Sequence, residues 1–248
     1  MPTNDSGTSH FQTLSIIIPV YNERQTVIEL LQQVAHQPVP PRKELIVVDD
    51  CSTDGTREYL QQTNLQAALG ADGQNIVKLV LHDKNQGKGA GVRTGLAHAT
   101  GEIVLIQDAD LEYDPGDYPE LLKPILEGHA DAVFGNRFHS GPHRVQRYYR
   151  FLFNRLFSII CNLLTGITIH DVTACYKVFT RDLIDRMYLH SDRFSIETEM
   201  TVKVAKLGAR IYEVPIVYHG RTYAEGKKIS WQDGWRALYD LIRYRFKD

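Results

Sequence analysis

The stretch Leu14-Ser-Ile-Ile-Ile-Pro-Val-Tyr-Asn-Glu23 is an apolar run that ends at a proline and is followed directly by polar side chains. A short run of β-branched residues without alternation is typical of a strand that is buried on both faces, as in a parallel sheet. Comparable runs recur at 44–48, 77–81, 103–107 and 132–134, with helical spacing between them. Strands that alternate with helices predict right-handed crossovers and a doubly wound α/β sheet.

Polar side chains follow three of these predicted strands. In a doubly wound sheet, ligands bind beyond the carboxyl ends of the strands, so side chains placed there converge on one crevice. The residues that we expect to line that crevice are Tyr21, Asn22, Glu23, Asp49, Asp50, Asp108 and Asp110.

The strongest candidate for chemistry is Asp108-Ala-Asp110 at the end of an apolar strand, with Glu112 two residues further on. Two carboxylates separated by one small residue can face a single hard cation, and a third can complete the protein's share of ligands. Mg²⁺ and Mn²⁺ prefer such oxygens and keep positions open for water and diphosphate. We therefore expect a divalent metal at these three acids. The alternative is an ordinary solvated loop.

Two further motifs bear on nucleotide binding. A carboxylate at Asp49 or Asp50 can accept hydrogen bonds from a base or from ribose hydroxyls; the alternative is helix capping, which Asp54 or Ser52 could supply instead. The segment Gly87-Lys-Gly-Ala-Gly91 fits neither the P-loop nor the dinucleotide-binding fingerprint. It predicts a tight entry into a helix, whose amides either help to bind the nucleotide or have a purely structural role.

The chain has 248 residues, of which 43% are hydrophobic and 23% are charged. This composition is typical of a soluble globular protein with one or two domains. Three cysteines without a Cys-x-x-Cys pair exclude a disulfide scaffold and a zinc ribbon, and they favour a reducing compartment. The polar start lacks the apolar segment of a signal peptide, and no apolar run of about 18 residues occurs. We expect a cytoplasmic protein in which residues 1–11 form a disordered tail.

The net charge of −2 conceals an uneven distribution. Residues 137–248 hold 19 Lys and Arg against 11 Asp and Glu, whereas residues 1–136 hold 9 against 19. An acidic half beside a basic half indicates a metal-binding region that faces a phosphate-binding region, although solvated faces would give the same counts. We expect no nucleic acid partner, because nucleic acid binding favours a net basic chain with stacking aromatic residues.

Two segments of the basic half combine apolar and basic residues. Residues 148–164 carry Phe, Leu and Ile around much of a predicted helix, interrupted by Arg150 and Arg155. Residues 231–248 place two tryptophans and two aliphatic residues in a stripe beside arginines. Both segments are typical of amphipathic helices in a membrane interface; the alternative is that they pack on the domain. We expect peripheral binding to the cytoplasmic face of a membrane.

Six motifs extend this interpretation: Ser15-Ile-Ile-Ile-Pro-Val-Tyr-Asn-Glu23, Val47-Val-Asp-Asp-Cys-Ser-Thr-Asp-Gly-Thr56, Asn85-Gln-Gly-Lys-Gly89, Gln107-Asp-Ala-Asp110, Gly135-Asn-Arg137 and His219-Gly-Arg-Thr-Tyr-Ala-Glu-Gly-Lys-Lys228. Together they resemble the GT-A glycosyltransferases of family 2, and among these the polyprenyl-phosphate hexosyltransferases of the dolichol-phosphate mannose synthase type. The resemblance covers about residues 12–230, which we expect to form the catalytic domain. It departs from the family at Glu112, where Gln is common, and at 171–177, where many relatives read Asp-x-Thr-Ser-Gly-Phe-Arg.

The resemblance implies roles for individual residues. The nucleotide sugar would be bound by Pro19, Tyr21, Glu23, Val48, Asp50, Asp108, Ala109, Asp110, Arg137, Arg221 and Lys227. The lipid phosphate would be bound by Arg137, Arg150 and Asn154, and the metal, Mg²⁺ or Mn²⁺, by Asp108, Asp110 and Glu112. The catalytic residues would be Asp108, Asp110 and Arg137.

The implied activity is inverting, metal-dependent transfer of a hexose from GDP-mannose, or secondly from UDP-glucose, to a polyprenyl monophosphate. Such a phosphate is largely a dianion at neutral pH and needs placement rather than a general base. One alternative is transfer to a saccharide or protein hydroxyl, which would need a base such as Asp171, Glu197 or Glu199. A non-catalytic nucleotide-binding subunit and a sugar nucleotidyltransferase are less favoured. Whether a separate membrane-anchoring subunit takes part is left open.

Overall fold

One sheet organises the residues that the computed structural model describes, which are 11–39, 42–69, 75–138, 148–221 and 231–247. Its strands are β1 (Thr13–Val20), β2 (Arg42–Asp49), β3 (Ile76–Leu81), β4 (Ile103–Ile106), β5 (Ala132–Asn136), β6 (Lys177–Thr180) and β7 (Ile211–Pro215). They are ordered β3-β2-β1-β4-β6-β5-β7, and all neighbouring pairs except those of β6 are parallel. The predicted doubly wound, mostly parallel α/β sheet is therefore confirmed.

The centre of the parallel part is β1, which pairs with β2 on one side and with β4 on the other. Ile16, Ile17 and Ile18 are all fully buried. Successive side chains of a strand point to opposite faces, so that Ile16 and Ile18 join one hydrophobic core and Ile17 joins the other. Burial on both faces explains why the apolar run of β1 is uninterrupted.

Helices cover both faces of the sheet. The face of Ile16 is covered by α1 (Val27–His36), α2 (Thr56–Gln62), α3 (Leu65–Leu69) and α5 (Tyr118–Leu126). The face of Ile17 is covered by α4 (Lys88–His98), α6 (Tyr148–Thr165), α7 (Arg181–Ile184), α8 (Ile196–Lys206) and α9 (Trp231–Phe246). The two amphipathic segments of the sequence analysis thus become α6 and α9, which are neighbours on one face.

The glycine-rich segment at the start of α4 is needed for close packing. A Cβ atom at Gly95 would collide with the side chain of Ile17 on β1, and one at Gly89 would collide with the Ser191 carbonyl. Gly87 has a φ of 96°, which favours glycine. The structural interpretation of this segment accounts for these glycines without a bound nucleotide.

Three features of the fold differ from the sequence-based expectation. Strand β6 is antiparallel to both of its neighbours, and both β6 and β7 were absent from the predicted series. Helix α2 begins at Thr56 after Gly55, without a side-chain cap. Of the two expected capping residues, Ser52 does not cap the helix, because its hydroxyl accepts a hydrogen bond from the Asn22 amide at 3.0 Å. The carboxylate of Asp54 accepts one from the Thr56 amide, the first of α2, at 3.0 Å.

The predicted disordered tail, residues 1–11, is wrong at its last residue. Phe11, which we assigned to that tail, packs against the core beneath the sheet. The rest of the predicted tail, residues 1–10, lies outside the described residues. Among the helices that the structure describes, none is both long and apolar enough to cross a bilayer.

Candidate active site

A crevice of about 340 Å³ opens at the carboxyl ends of β1, β2 and β4. Two parallel strands that diverge from a central one leave such a space at their ends. The residues of the sequence analysis that line it are Pro19, Tyr21, Glu23, Asp50, Asp108, Ala109, Asp110, Glu112, Arg137 and Arg221. Five of the seven strand-end residues therefore converge, and they share the crevice with arginines from the second half of the chain. The expectation is wrong for Asn22 and Asp49, which do not line the crevice; Asp49 is fully buried and forms an ion pair with Arg57 at 2.9 Å.

Asp108 is paired with a lysine that the sequence analysis did not assign to the site. The Lys88 ammonium lies 2.5 Å from an oxygen of Asp108 and 2.6 Å from an oxygen of Glu197 on α8. Burial by itself would lower the pKa of Lys88, but the adjacent Asp108 carboxylate and the other acidic groups raise it well above its ordinary value. Lys88 is therefore a permanent cation at the floor of the crevice. The thiol sulfur of Cys175 lies 3.0 Å from the same ammonium.

Asp110 is paired with Arg221. One guanidinium nitrogen, Nη2, lies 2.8 Å from Asp110 Oδ2 and 3.1 Å from Glu23 Oε1, and Nη1 lies 3.2 Å from Glu23 Oε2. Burial, followed by the negative charges of Asp108 and Glu112, raises the pKa of Asp110 to about 7. The acidic cluster thus carries more negative charge than its protein surroundings neutralise.

Glu112 anchors the chain segment that carries Arg221. One carboxylate oxygen accepts a hydrogen bond from the Tyr218 hydroxyl at 2.7 Å, and the other accepts one from the Arg221 amide at 2.6 Å. Its own amide donates to Asp110 Oδ1 at 3.1 Å. Both oxygens of Glu112 are therefore engaged within the protein, and its predicted role as a metal ligand stays a prediction.

The donor chemistry of this cluster fits a hard divalent cation. Carboxylates at Asp108, Asp110 and Glu112 supply the oxygen ligands that such a cation prefers, and Glu23 adds a fourth carboxylate beside the two side-chain cations Lys88 and Arg221. In the described residues, however, no three His, Cys, Asp or Glu side chains already surround one point as ligands. Lys88 and Arg221 hold the oxygens that a metal would need.

Arg137 is fixed by Asp171. Its Nε and Nη2 atoms each donate to one carboxylate oxygen at 2.7 Å, and Nη2 also lies 2.7 Å from the Thr173 hydroxyl. Thr173 in turn donates to Asn154 Oδ1 on α6 at 3.3 Å. Asp171 therefore holds an arginine in place rather than standing free as a base, and α6 is linked to the crevice through two hydrogen bonds.

Asp50 organises the loop before α4. One of its oxygens accepts hydrogen bonds from the His82 ring and the Gln86 amide, both at 2.8 Å, and the other accepts one from the Gly87 amide at 2.7 Å. Its carboxylate lines the crevice but is already surrounded by donors. The expected contact between Asp50 and the nucleoside stays a prediction.

The remaining predicted site residues lie at different depths. The side chain of Val48 is fully buried in the core that faces α4, and it does not reach the crevice. Arg150 is half-buried near the start of α6, with its guanidinium 5.9 Å from the Tyr149 ring, and it does not line the crevice. Lys227 lies outside the described residues.

Glu199, named as a candidate base by residue type, has a structural environment. Its two carboxylate oxygens accept hydrogen bonds from the His190 and Ser191 amides at 2.8 and 2.7 Å. Lys203, one turn along α8, lies 2.9 Å away as an ion pair. Glu199 therefore fixes the segment that Gly89 packs against.

Proteins of similar sequence identify the family of the chain. The family model described as Glycosyl transferase family 2 matches residues 15–188. The chain is 31% identical over 226 residues to glycosyltransferase AglJ of Haloferax volcanii, a match that covers 89% of this chain. The chain spans only 65% of the length of AglJ.

Solved structures agree in fold. A glucosyl-3-phosphoglycerate synthase from Mycobacterium tuberculosis, in complex with Mn²⁺, UDP and glucosyl-3-phosphoglycerate, superposes with a TM-score of 0.69 at 20% identity. The match covers 94% of this chain and 80% of that one. The same synthase with Mg²⁺ and UDP gives a TM-score of 0.68 at 20% identity, with 94% and 79% of the two chains covered. The predicted GT-A architecture is confirmed.

Proposed function

The chain belongs to glycosyl transferase family 2, and from that premise we propose that it transfers a hexose from a nucleotide sugar to a polyprenyl monophosphate at a membrane surface. GDP-mannose is the first choice of donor and UDP-glucose is the second. The reaction would be a single displacement with inversion at the sugar. One observation carries the lipid part of the proposal, namely an exposed apolar face on α6, a helix whose opposite side is linked to the crevice by hydrogen bonds.

The exposed face of α6 has the spacing of a helix that rests on an apolar phase. Leu152, Leu156, Ile159 and Leu163 recur every three or four residues and are each more than half exposed. The helix contains two arginines and no acidic residue. On the neighbouring α9, a second stripe is formed by Tyr239, Ile242 and Phe246. Apolar stripes with basic residues are typical of helices that bind an anionic lipid surface.

The crevice is linked to the other side of α6. Asn154, two positions from both Leu152 and Leu156 and therefore on the opposite side of the helix, contacts Thr173, which contacts Arg137 in the crevice lining. An acceptor whose chain lies in the membrane could therefore present its phosphate near Arg137. Asp171 occupies Nε and Nη2 of that arginine and so sets the direction of its third nitrogen. Guanidinium groups bind phosphate oxygens through directed hydrogen bonds.

The ion pairs of the site favour a phosphate acceptor over a hydroxyl. A hydroxyl must lose its proton to a base, but the candidate bases Asp171, Glu197 and Glu199 are each paired with a cation in the structure. A phosphate monoester dianion needs only to be oriented toward the sugar. The arrangement of Arg137 provides orientation, and the site does not require a free carboxylate.

The donor half of the crevice would hold the nucleotide sugar with Mg²⁺ or Mn²⁺ at Asp108 and Asp110. A divalent cation there would supply charge stabilisation to the departing nucleoside diphosphate. The synthase structures of the same fold contain Mn²⁺ or Mg²⁺ together with UDP, which supports this assignment. Pro19, Tyr21 and Glu23 at the end of β1 line the side on which the nucleoside would lie.

A two-phase transfer assay tests the proposal. Purified protein is incubated with a short-chain polyprenyl phosphate, Mn²⁺ and either radiolabelled GDP-mannose or radiolabelled UDP-glucose. We expect label in the organic phase with one of the two donors, and loss of that product with EDTA. Parallel reactions contain 3-phosphoglycerate or a free saccharide instead of the lipid. Label that stays in aqueous products of those reactions, with none in the organic phase, contradicts the lipid acceptor.

A further inference from the structure

The guanidinium of Arg221 occupies the place of a cation within the acidic cluster. It lies 2.8 Å from Asp110, 3.1 Å from Glu23 and 3.7 Å from Glu112, measured between the nearest nitrogen and oxygen atoms. Asp110 is one of the carboxylates assigned to the divalent metal. An arginine and a dication at the same carboxylate repel each other, so both cannot occupy it at full affinity.

The backbone and the side chain of Arg221 are held differently. The amide is fixed to Glu112 by a hydrogen bond of 2.6 Å. The Nε atom of the side chain is buried without a hydrogen-bond partner, because its nearest carboxylate oxygen, on Glu112, is 3.7 Å away. The guanidinium can therefore turn about a fixed backbone, and in its present position it leaves one donor unsatisfied.

A nucleoside diphosphate offers a better partner for this side chain. Phosphate oxygens accept paired hydrogen bonds from a guanidinium and can satisfy the Nε donor that Glu112 leaves unpaired. Once the guanidinium has moved to the diphosphate, the oxygens of Asp110 and Glu23 are exposed to the crevice. The negative charge left behind attracts the metal.

We propose that Arg221 is the resident counter-ion of the divalent-metal site, and that a nucleoside diphosphate draws it away from Asp110 so that nucleotide and metal bind synergistically. This inference rests on the proposed function, because it needs a nucleoside diphosphate in this crevice. Linkage requires that each ligand strengthens the other by the same factor, which for such coupling is about 5–150-fold.

A titration with Mn²⁺, measured by electron paramagnetic resonance, tests this inference without an activity assay. Mn²⁺ is titrated into the wild type and into Arg221→Gln, each with and without UDP or GDP, with correction for Mn²⁺ that the nucleotide binds in solution. In the absence of nucleotide, we expect Arg221→Gln to bind Mn²⁺ about tenfold more tightly than the wild type does. We also expect the enhancement by nucleotide to be smaller in the variant than in the wild type, because only the part that comes from moving Arg221 is lost.

Two further variants make the result specific. Arg210→Gln removes one positive charge from an exposed ion pair with Asp131, outside the crevice lining, and should leave Mn²⁺ binding unchanged. Arg221→Lys keeps the charge but cannot bridge Glu23 and Asp110, and it should give an intermediate affinity; it also replaces the Gln variant should that protein not fold.

The outcomes separate the inference from the proposed function. Equal or weaker Mn²⁺ binding by Arg221→Gln without nucleotide overturns the role of Arg221 as counter-ion. If the wild type binds Mn²⁺ equally well with and without nucleotide, the counter-ion role of Arg221 is also overturned. The proposed function is unaffected by that result, because both metal and nucleotide still bind. A wild type that binds neither Mn²⁺ nor nucleotide under any condition overturns the proposed function as well.

Discussion

Arg137 and Asp171 form a buried ion pair in which two guanidinium nitrogens each donate to a different carboxylate oxygen at 2.7 Å, and the Arg137 amide donates to the same carboxylate at 3.0 Å. Asp171 is fully buried and Arg137 is 9% exposed. A pair of this kind contributes geometry more than stability, because both charges lose their hydration when they are buried. Its function here is to fix the direction of an arginine at the edge of the crevice.

Removal of one partner of this pair should be costly. We predict that Asp171→Ala lowers the free energy of unfolding by about 3–5 kcal/mol, since it leaves the Arg137 charge buried and unpaired. The double variant Arg137→Met/Asp171→Leu should lose less than the Asp171→Ala variant does. Urea unfolding of the wild type and the variants measures both quantities. A double variant that is less stable than Asp171→Ala would show that the pair is itself a large source of stability.

Substitution of Glu112 should separate its acceptor role from its charge. In Glu112→Ala the Arg221 amide loses the carboxylate that accepts its hydrogen bond and the Tyr218 hydroxyl loses one acceptor, so we predict a loss of about 1–3 kcal/mol in the free energy of unfolding. Glu112→Gln keeps one acceptor oxygen and should unfold within a few degrees of the wild type. Thermal unfolding compares the two. Equal destabilisation by both substitutions would mean that the negative charge, rather than the hydrogen bonds, holds the segment.

Asp117 should make stability fall as the pH rises. Burial, helped by the negative charge of Asp114 and opposed by a hydrogen bond from the Val217 amide, raises the pKa of Asp117 from 3.8 to about 6. The folded protein therefore binds more protons than the unfolded chain between these values, and its stability decreases as the pH rises through that window. Asp117→Asn keeps an acceptor for Val217 without the charge.

We expect the melting temperature of Asp117→Asn to exceed that of the wild type at pH 7 and the difference to shrink towards pH 4. Thermal unfolding at intervals of half a pH unit measures it. Asp185→Asn, a loss of one carboxylate at an exposed position on the surface, serves as the control. A difference between Asp117→Asn and wild type that grows towards low pH would contradict the direction of the shift.

The exposed face of α6 should govern binding to lipid vesicles. Leu156→Glu together with Leu163→Glu places two charges in the apolar stripe, and the loss of about 1.5–3 kcal/mol for each leucine predicts binding that is weaker by at least about a hundredfold. Flotation with vesicles that contain anionic lipid measures the bound fraction. Tyr212→Glu is the control. Tyr212 is an exposed aromatic residue of β7, and its neighbour Ile211 packs against the core that contains α6. Successive side chains of a strand point to opposite faces, so Tyr212 lies on the face away from α6 and its substitution should not change vesicle binding.

Salt provides a second test of the same surface. The basic residues of α6 and α9 should make binding to anionic vesicles weaker as ionic strength rises, because charges near a membrane are screened within a Debye length of about 10 Å at 0.1 M. If the wild type and the double leucine variant bind vesicles equally well at every salt concentration, this face of α6 is not the membrane contact.

The fold could be predicted where burial leaves a pattern in the sequence. The apolar runs of β1 and β2 are buried on both faces, and this makes them conspicuous. Strand β6 is different, since it begins at Lys177, whose ammonium is buried because it donates to the Val172 and Ala174 carbonyls at 3.0 and 2.6 Å. Those carbonyls belong to the turn just before the strand, whose conformation hydrophobic periodicity does not predict, so a charged residue concealed the start of the strand.

The site shows the same division. The acids at Asp108 and Asp110 follow an apolar strand, and their convergence with Glu23 could be inferred from strand order. Their partners could not, because Lys88 and Arg221 come from separate segments that only the folded chain brings to those acids. Hydrophobic periodicity predicts which segments form strands and helices, but it contains no information on which distant charges meet.

The reversed direction of β6 has an evolutionary consequence. An antiparallel strand starts at the edge where its parallel neighbours end, so the turn before β6 enters the crevice, and its residues Thr173 and Cys175 form part of the lining. Substitutions at these two positions can therefore reshape one wall of the cleft while leaving β1, β2 and β4 untouched, whereas Asp171 in the same turn is held by its ion pair with Arg137. The choice of acceptor can thus diverge among relatives while the strands that position Asp108 and Asp110 stay the same.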